Sequence, residues 1–185
     1  YNIIKKKYGE KAKLLFTDTD SLCYEIETDD IYDDMYKNKE LYDFSDYKDD
    51  HQYYKNNKLK VDRSNKKVML KMKDEANGTI VKEFIGVRSK MYSLLFLNNE
   101  NKKTAKGIKK NVINNNISHD DYKNVMYGVG KNRFFEYSLM NVIRSIKHDI
   151  CSYVLNKIGL CAFDDKRYIL DNGKDTLAHG HYKTK

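Results

Sequence analysis

Two carboxylates, Asp18 and Asp20, stand one Thr apart directly after the apolar run Leu14-Leu15-Phe16, and Ser21-Leu22-Cys23-Tyr24 leads away from them. A short strand, a tight turn and a second strand would carry both acids on one hairpin tip, because Asp and Thr suit turns and the flanking residues suit strands. Two anions held that close repel each other, and a divalent cation relieves the repulsion. Mg²⁺ is bound through one or two protein carboxylates plus phosphate oxygens of a substrate, so the spacing suits phosphate chemistry. The plainer alternative is an ordinary Asx-type turn.

The elements that must position these acids can be read along the chain. Residues 2–13 predict the polar end of a helix with Gly9 as a stop, followed by strands at Leu14–Phe16 and Leu22–Ile26. Ile31, Met35 and Tyr36 have helical spacing within Asp29–Tyr42, and the acids there are expected to face solvent. Residues 43–65 show no period and predict a loop pinned by Tyr42, Phe44, Tyr47, Tyr53 and Tyr54. Val68, Leu70 and Met72 alternate with Lys67, Lys71 and Lys73 before Asn77-Gly78, which predicts a hairpin with Asp74-Glu75 solvating its end. Its long return strand, Thr79 to Leu97, would put Arg88, Lys90 and Tyr92 on one face, presenting cations and a phenol to a polyanion.

Beyond it, Lys102, Lys103, Lys106, Lys109 and Lys110 lie in a polar crossing, with a lobe boundary expected near Gly107. By default such a cluster is a solvated loop. Ser118 and Asp121 form a capping-box start for a helix carrying Tyr122, Val125, Met126 and Val129 on one face, with Gly128 or Gly130 near its end. The β-branched and aromatic residues from Phe134 to Phe163 predict strands, and Asp164 to Lys185 an irregular tail.

Length and composition set outer bounds. With 185 residues, 34% of them charged, and 23 aromatic residues (16 Tyr, 7 Phe), the chain can build one substantial core or two small lobes. The net charge of +8 suits an anionic partner, nucleic acid first. A nucleotide bias toward A and U would also enrich Lys, Asn, Ile and Tyr and remove Pro, of which average usage would give about nine. Segregation is more telling: Glu25 to Asp50 holds eleven acids and three Lys, a net of −8, leaving +16 elsewhere. Cys23, Cys151 and Cys161 form no C-x-x-C pair, which predicts a reducing, intracellular compartment without disulfide framework or zinc site. No membrane partner is expected. The chain opens on Tyr1 rather than Met, so a piece of a longer protein is expected.

Asp18-Thr19-Asp20-Ser21 matches the Tyr-x-Asp-Thr-Asp-Ser motif of family B DNA polymerases, with Phe16 in place of the Tyr. That family follows its catalytic hairpin with a Lys-x-Tyr strand and a Lys-Gly entry into the thumb, and here Lys90/Tyr92 and Lys106-Gly107 come in that order. Val81-Lys82-Glu83-Phe84-Ile85-Gly86-Val87-Arg88-Ser89-Lys90-Met91-Tyr92-Ser93 and Asp164-Asp165-Lys166-Arg167-Tyr168 resemble the protein-primed branch, in particular polymerases of Maverick (Polinton)-type mobile elements. The upstream Asp-x-x-Ser-Leu-Tyr-Pro and Lys-x-x-x-Asn-Ser-x-Tyr-Gly motifs of the family are absent, as are exonuclease motifs.

The resemblance implies an α+β fold: an antiparallel palm-type sheet with the catalytic hairpin and a packed helix over 1–107, then a small thumb over 108–185. It implies two-metal nucleotidyl transfer with Mg²⁺, in which Asp20 is the bridging ligand, Asp18 an auxiliary, and the other main Asp lies outside this chain. Lys90 would hold a primer or template phosphate and Tyr92 the primer-terminal nucleotide, with Arg88, Lys102, Lys103, Lys106, Lys109 and Lys110 adding backbone attraction. The partners implied are primer–template DNA, deoxynucleoside triphosphates and a terminal priming protein. Two other readings stand beside it. A piece lacking the first metal Asp would be an inactive mobile-element relic or a nucleic-acid-binding module. A haloacid dehalogenase-like phosphatase would use Asp18 as nucleophile and Asp20 as general acid/base, with Asp164-Asp165 as the late acidic pair, but it requires alternating strand–helix units that this chain lacks.

Overall fold

A computed structural model of the chain describes residues 3–128, 134–163, 167–172, 175–178 and 180–184. The fold is α+β, with 25% helix, 38% strand and several small sheets. Chain contacts divide it into two compact units, 1–83 with 96–100, and 84–95 with 101–185, so the expected boundary at Gly107 falls inside the second. No helix among the described residues is long and apolar enough to cross a membrane.

In the first unit, helix α1 (Ile4–Tyr8) stops at Gly9, and β1 (Ala12–Asp18) pairs antiparallel with β2 (Ser21–Ile26). The Asp30 carboxylate accepts the Tyr32 and Asp33 N–H groups and starts α2 (Ile31–Tyr36). This helix is shorter than its periodicity suggests. The Asn38 side-chain amide donates to the Asp34 carbonyl (2.9 Å) and competes for the helix end, and a 3₁₀ turn (Lys39–Leu41) follows. β3 (Tyr42–Asp43) and α3 (Gln52–Asn56) then deliver aromatic side chains to one cluster. Phe44, Tyr47, Tyr53, Tyr54 and Val61 are buried there, and Tyr32, Met35, Tyr36, Tyr42 and Leu59 pack against them.

The segment read as the first strand of an Asn77-Gly78 hairpin folds differently. Only Met72–Lys73 (β4) is a strand, and it pairs parallel with Tyr42–Asp43. Val68–Leu70 form a turn instead, because the Lys67 N–H is taken by the Asp43 carboxylate (3.1 Å) and withdrawn from any ladder. Burial works against that carboxylate, but bonds from the Ser45 hydroxyl and the Ser45 and Lys67 backbones hold it below the usual carboxylate range. Asp74 likewise organises rather than solvates. It accepts the Ala76 N–H (2.8 Å), the Gly78 N–H (2.8 Å) and the Tyr47 hydroxyl (2.8 Å). Gly78 then turns with φ of 80°, and its carbonyl accepts from both Tyr32 Oη (2.9 Å) and His51 Nε2 (2.9 Å).

The second unit is built on β5 (Val81–Arg88), β6 (Met91–Phe96) and β7 (Asn101–Ala105), adjacent in that order. The expected strand from Thr79 to Leu97 is interrupted at Ser89-Lys90, where Lys90 has φ of 57°. Folding back brings Ile85 and Met91 into one buried cluster, which a continuous strand would separate. Helices α4 (Lys110–Asn116) and α5 (His119–Tyr127) cover it with Ile113, Ile117, Tyr122 and Val125. The Ser118–Asp121 capping box forms, and Gly128 closes α5 in the left-handed conformation. Met126 stays exposed, while Val129 and Gly130 lie outside the described residues. A long ribbon, β8 (Phe134–Ile146) with β9 (Asp149–Cys161), adds Met140 and Leu160 to the core. Among the described residues of the tail, expected to be irregular, β10 (Arg167–Ile169) pairs antiparallel with β11 (Thr176–Ala178).

Of the two glycines of the first unit, Gly78 is the more closely surrounded. A Cβ there would lie 2.7 Å from the His51 ring, whereas at Gly9, also left-handed with φ of 55°, nothing stands within 4 Å. Gly78→Ala should therefore lose about 2–3 kcal/mol in urea unfolding, against about 1 kcal/mol for Gly9→Ala. Equal losses would refute the packing role of His51.

Candidate active site

β1 and β2 run in register from Ala12↔Ile26 to Asp18↔Ser21, with Leu15 bulged between Leu14 and Phe16. The bulge adds an unpaired residue and increases local twist three residues before Asp18. Thr19-Asp20 is the two-residue connection, and Thr19 takes φ of 57°. For a β-branched residue this is a genuine outlier, of a kind concentrated at functional sites. Its hydroxyl donates to Asp18 Oδ1 (3.4 Å), and Ser21 Oγ donates to the Asp18 carbonyl (3.1 Å). Asp18 is half-buried at the strand end and Asp20 is exposed on the turn. The pair fits the protein share of a Mg²⁺ site whose remaining ligands come from phosphate. Among the described residues no group of three or more His, Cys, Asp or Glu could hold a metal without such help.

The base of the hairpin is clamped by Asp34, which the sequence reading left on a solvated face. Its carboxylate accepts from Lys7 Nζ (2.7 Å), Tyr8 Oη (2.9 Å) and Thr28 Oγ1 (2.6 Å), tying α1 and the exit of β2 to α2. The Glu27 N–H donates to the Lys11 carbonyl (2.9 Å) and extends the pairing below Ala12. Only spacing in three dimensions joins these four residues, so the linear pattern carries no signal for them.

The expected nucleic-acid contacts belong to the second unit. Arg88 closes β5 and donates through Nη1 to the Phe163 carbonyl (3.0 Å). Lys90 occupies the β5–β6 turn, and its carbonyl accepts the Lys106 N–H (3.0 Å), so these two lysines are brought to one end of the sheet. Tyr92 lies on β6 opposite Thr104, its ring 6.3 Å from that of Phe84. Arg88, Lys90 and Tyr92 thus sit on a strand end, a turn and a second strand rather than on one strand face.

The lysine crossing divides in two. Lys103 Nζ donates to the carbonyls of Asn114 (3.3 Å) and Ile117 at the end of α4, and burial lowers its pKa. Lys109 Nζ donates to the Asn141 carbonyl. Lys102, Lys106 and Lys110 are exposed. The five histidines show no ligand spacing and are expected to be structural or surface residues, and His119 is buried, with Nδ1 2.7 Å from the buried Ser93 Oγ, joining α5 to β6. Asp164-Asp165 lies outside the described residues.

Compared with known protein families, curated proteins and solved structures, the chain matches none.

The Asp34 clamp has a pH signature. Burial alone would raise its pKa, but hydrogen bonds from Lys7, Thr28 and Tyr8 outweigh that and bring it to about 2. A depressed carboxylate pKa stabilises the fold fully above the unfolded value near 4 and loses the effect as pH falls toward 2. Asp34→Asn should cost about 2 kcal/mol at pH 7 and flatten the stability profile between about pH 4 and 2. Parallel wild-type and variant profiles, measured by urea unfolding, would exclude the clamp.

Proposed function

We propose that this chain is the later part of a family B-type DNA polymerase palm, followed by thumb-like elements, and that the parent protein carries out template-directed DNA synthesis. The observation that carries the reading is the hairpin tip. Asp18 and Asp20 are held one residue apart by a turn that forces a β-branched Thr into the left-handed region. Such strain persists where the surrounding structure over-determines it, and two acids at one hairpin tip give it a purpose.

In this reading Asp20, exposed on the turn, is the main metal ligand and Asp18 the auxiliary. When bound, Mg²⁺ would activate the primer 3′-hydroxyl and stabilise the departing pyrophosphate. Ser21 and Thr19 hold Asp18 through their hydroxyls, fixing the strand end from which both acids project. Lys90 meets a phosphate of the primer or template and Tyr92 rests against the primer-terminal nucleotide. Lys106, adjacent to Lys90 through the backbone bond, adds to the same phosphate contact. Arg88, Lys102 and Lys110 supply weaker backbone attraction. Lys103 and Lys109 contribute less, because their ammonium groups also serve carbonyls of the fold, as the Arg88 guanidinium serves that of Phe163. The phosphatase alternative asks for a parallel sheet, and the described residues hold a single parallel pairing, two residues long.

In the complete parent enzyme, Asp20→Ala should abolish primer extension, by at least about a thousand-fold, while gel-shift affinity for primer–template stays within about two-fold. Normal extension would overturn the assignment. Lys90→Ala should raise the KM for the primer terminus several-fold and weaken the salt dependence of binding by about one phosphate contact. A variant with unchanged KM would remove Lys90 from the primer grip. Sequencing the coding DNA upstream of Tyr1 decides between an active parent, with both missing motifs in frame, and a relic interrupted by stop codons.

A further inference from the structure

The turn that replaces the expected strand is firmly held at its base and bare at its tip. Asp43 accepts the Lys67 N–H and, through Oδ1, the Ser45 N–H (2.8 Å). The Asn65 side-chain amide donates to the carbonyls of Lys39 (3.0 Å) and Tyr42 (2.9 Å). The Val68 N–H reaches the Asn65 carbonyl (3.2 Å) and the Lys71 N–H the Val68 carbonyl (3.4 Å). Above this frame Val68, Met69 and Leu70 are 46%, 85% and 98% exposed. Lys67 and Leu70 are also left-handed, with φ of 58° and 64°.

Three adjacent aliphatic side chains in water and two strained non-glycine residues are both costs to the free protein. Their coincidence on a rigid turn points to a partner that repays them. The charges around the turn indicate its chemistry. Lys66, Lys67 and Lys71 flank the tip, and Lys71 Nζ donates to the Glu40 carbonyl (2.5 Å). Three acids of the surrounding loops are already engaged: Asp46 with Lys73, Asp62 with Lys39 and Asp49 with Arg63. The partner is therefore anionic outside and apolar within.

We infer that this prong is a wedge for double-stranded DNA. Met69 and Leu70 enter a base step from the minor groove, and Lys66 and Lys67 lie against the bordering phosphates, while Lys71 holds the base of the turn through the Glu40 carbonyl. Aliphatic wedges of this kind unstack a step and kink the duplex, and flanking cations hold the backbone on either side. A lipid surface would also meet an apolar tip and cations. Stable attachment to a bilayer, however, takes a broad apolar face or a second anchor, whereas a prong one turn wide matches a single base step. The inference does not depend on the metal chemistry of Asp18 and Asp20.

The test uses the 185-residue chain and a short duplex carrying 2-aminopurine, which brightens when its neighbours unstack. Wild type should bind and brighten the probe several-fold. Met69→Ser/Leu70→Ser, at exposed positions that leave the core intact, should bind about ten-fold more weakly and abolish the brightening. Met69→Leu should retain both. Lys66→Ala/Lys67→Ala should lower the slope of log affinity against log salt by about 2. Unchanged brightening in the serine double variant overturns the wedge. So does absence of duplex binding, including a result in which the chain sediments only with phosphatidylserine–phosphatidylcholine vesicles. Primer extension is not read in this experiment, so its failure leaves the polymerase assignment standing, and an active Asp20→Ala enzyme would leave the wedge standing.

Discussion

Thr19 holds a left-handed conformation between two carboxylates, and the hairpin below it must offset that cost. A β-branched residue in this region costs on the order of 1–2 kcal/mol, and the like charges of Asp18 and Asp20 add repulsion. A lone two-stranded hairpin is marginal in water, so β1 and β2 cannot supply the deficit from their own ladder. The supply comes from beneath: the Glu27–Lys11 backbone bond extends the pairing, and Asp34 gathers Lys7, Tyr8 and Thr28 around one carboxylate. The strained tip and its clamp are parts of one arrangement. Removing the clamp would release the geometry of the acids before it disturbed the acids themselves.

The same use of carboxylates runs through the first unit. Asp30 caps α2, Asp43 holds the turn after Asn65, and Asp74 gathers two backbone N–H groups and the Tyr47 phenol. Burial and the Asp74 charge push that phenol above its ordinary pKa, which keeps Tyr47 the donor in this bond. An aromatic core is well served by such bonds, because each buried hydroxyl needs a partner. The concentration of acids between Glu25 and Asp50 therefore reflects structural anchoring as much as surface charge.

What the linear pattern reveals is what depends on neighbours in sequence. Asp-Thr-Asp between two apolar runs specifies the hairpin tip, Ser118 with Asp121 specifies a helix start, and β-branched residues after Phe134 specify strands. The segment 66–97 misleads because its alternation and its Asn-Gly pair are real local signals that long-range bonds override. Asp43 lies more than twenty residues before the Lys67 N–H it captures, and nothing near Val68 reports that loss. Of the candidate site, the two acids were legible. Asp34, acting through residues brought together only by folding, was not.

The lysines show the limit of reading function from charge. Lys102 and Lys103 are neighbours in sequence, yet one is exposed while the other is half-buried against the end of α4, where its cation also favours the helix dipole. Lys109 is spent on a ribbon carbonyl in the same way. The net charge of +8 thus says little about where each cation lies, and position in the fold is as telling as the total. Positive side chains are gathered at two places. One is the sheet end where Lys90 and Lys106 adjoin, and the other is the prong bearing Lys66, Lys67 and Lys71. They differ in what accompanies the charge. The first has Tyr92 nearby on β6, and the second has the exposed aliphatic side chains of Val68, Met69 and Leu70. The same sign of charge therefore stands in two different settings, one beside an aromatic ring and one beside aliphatic side chains, and a uniformly basic surface would offer neither.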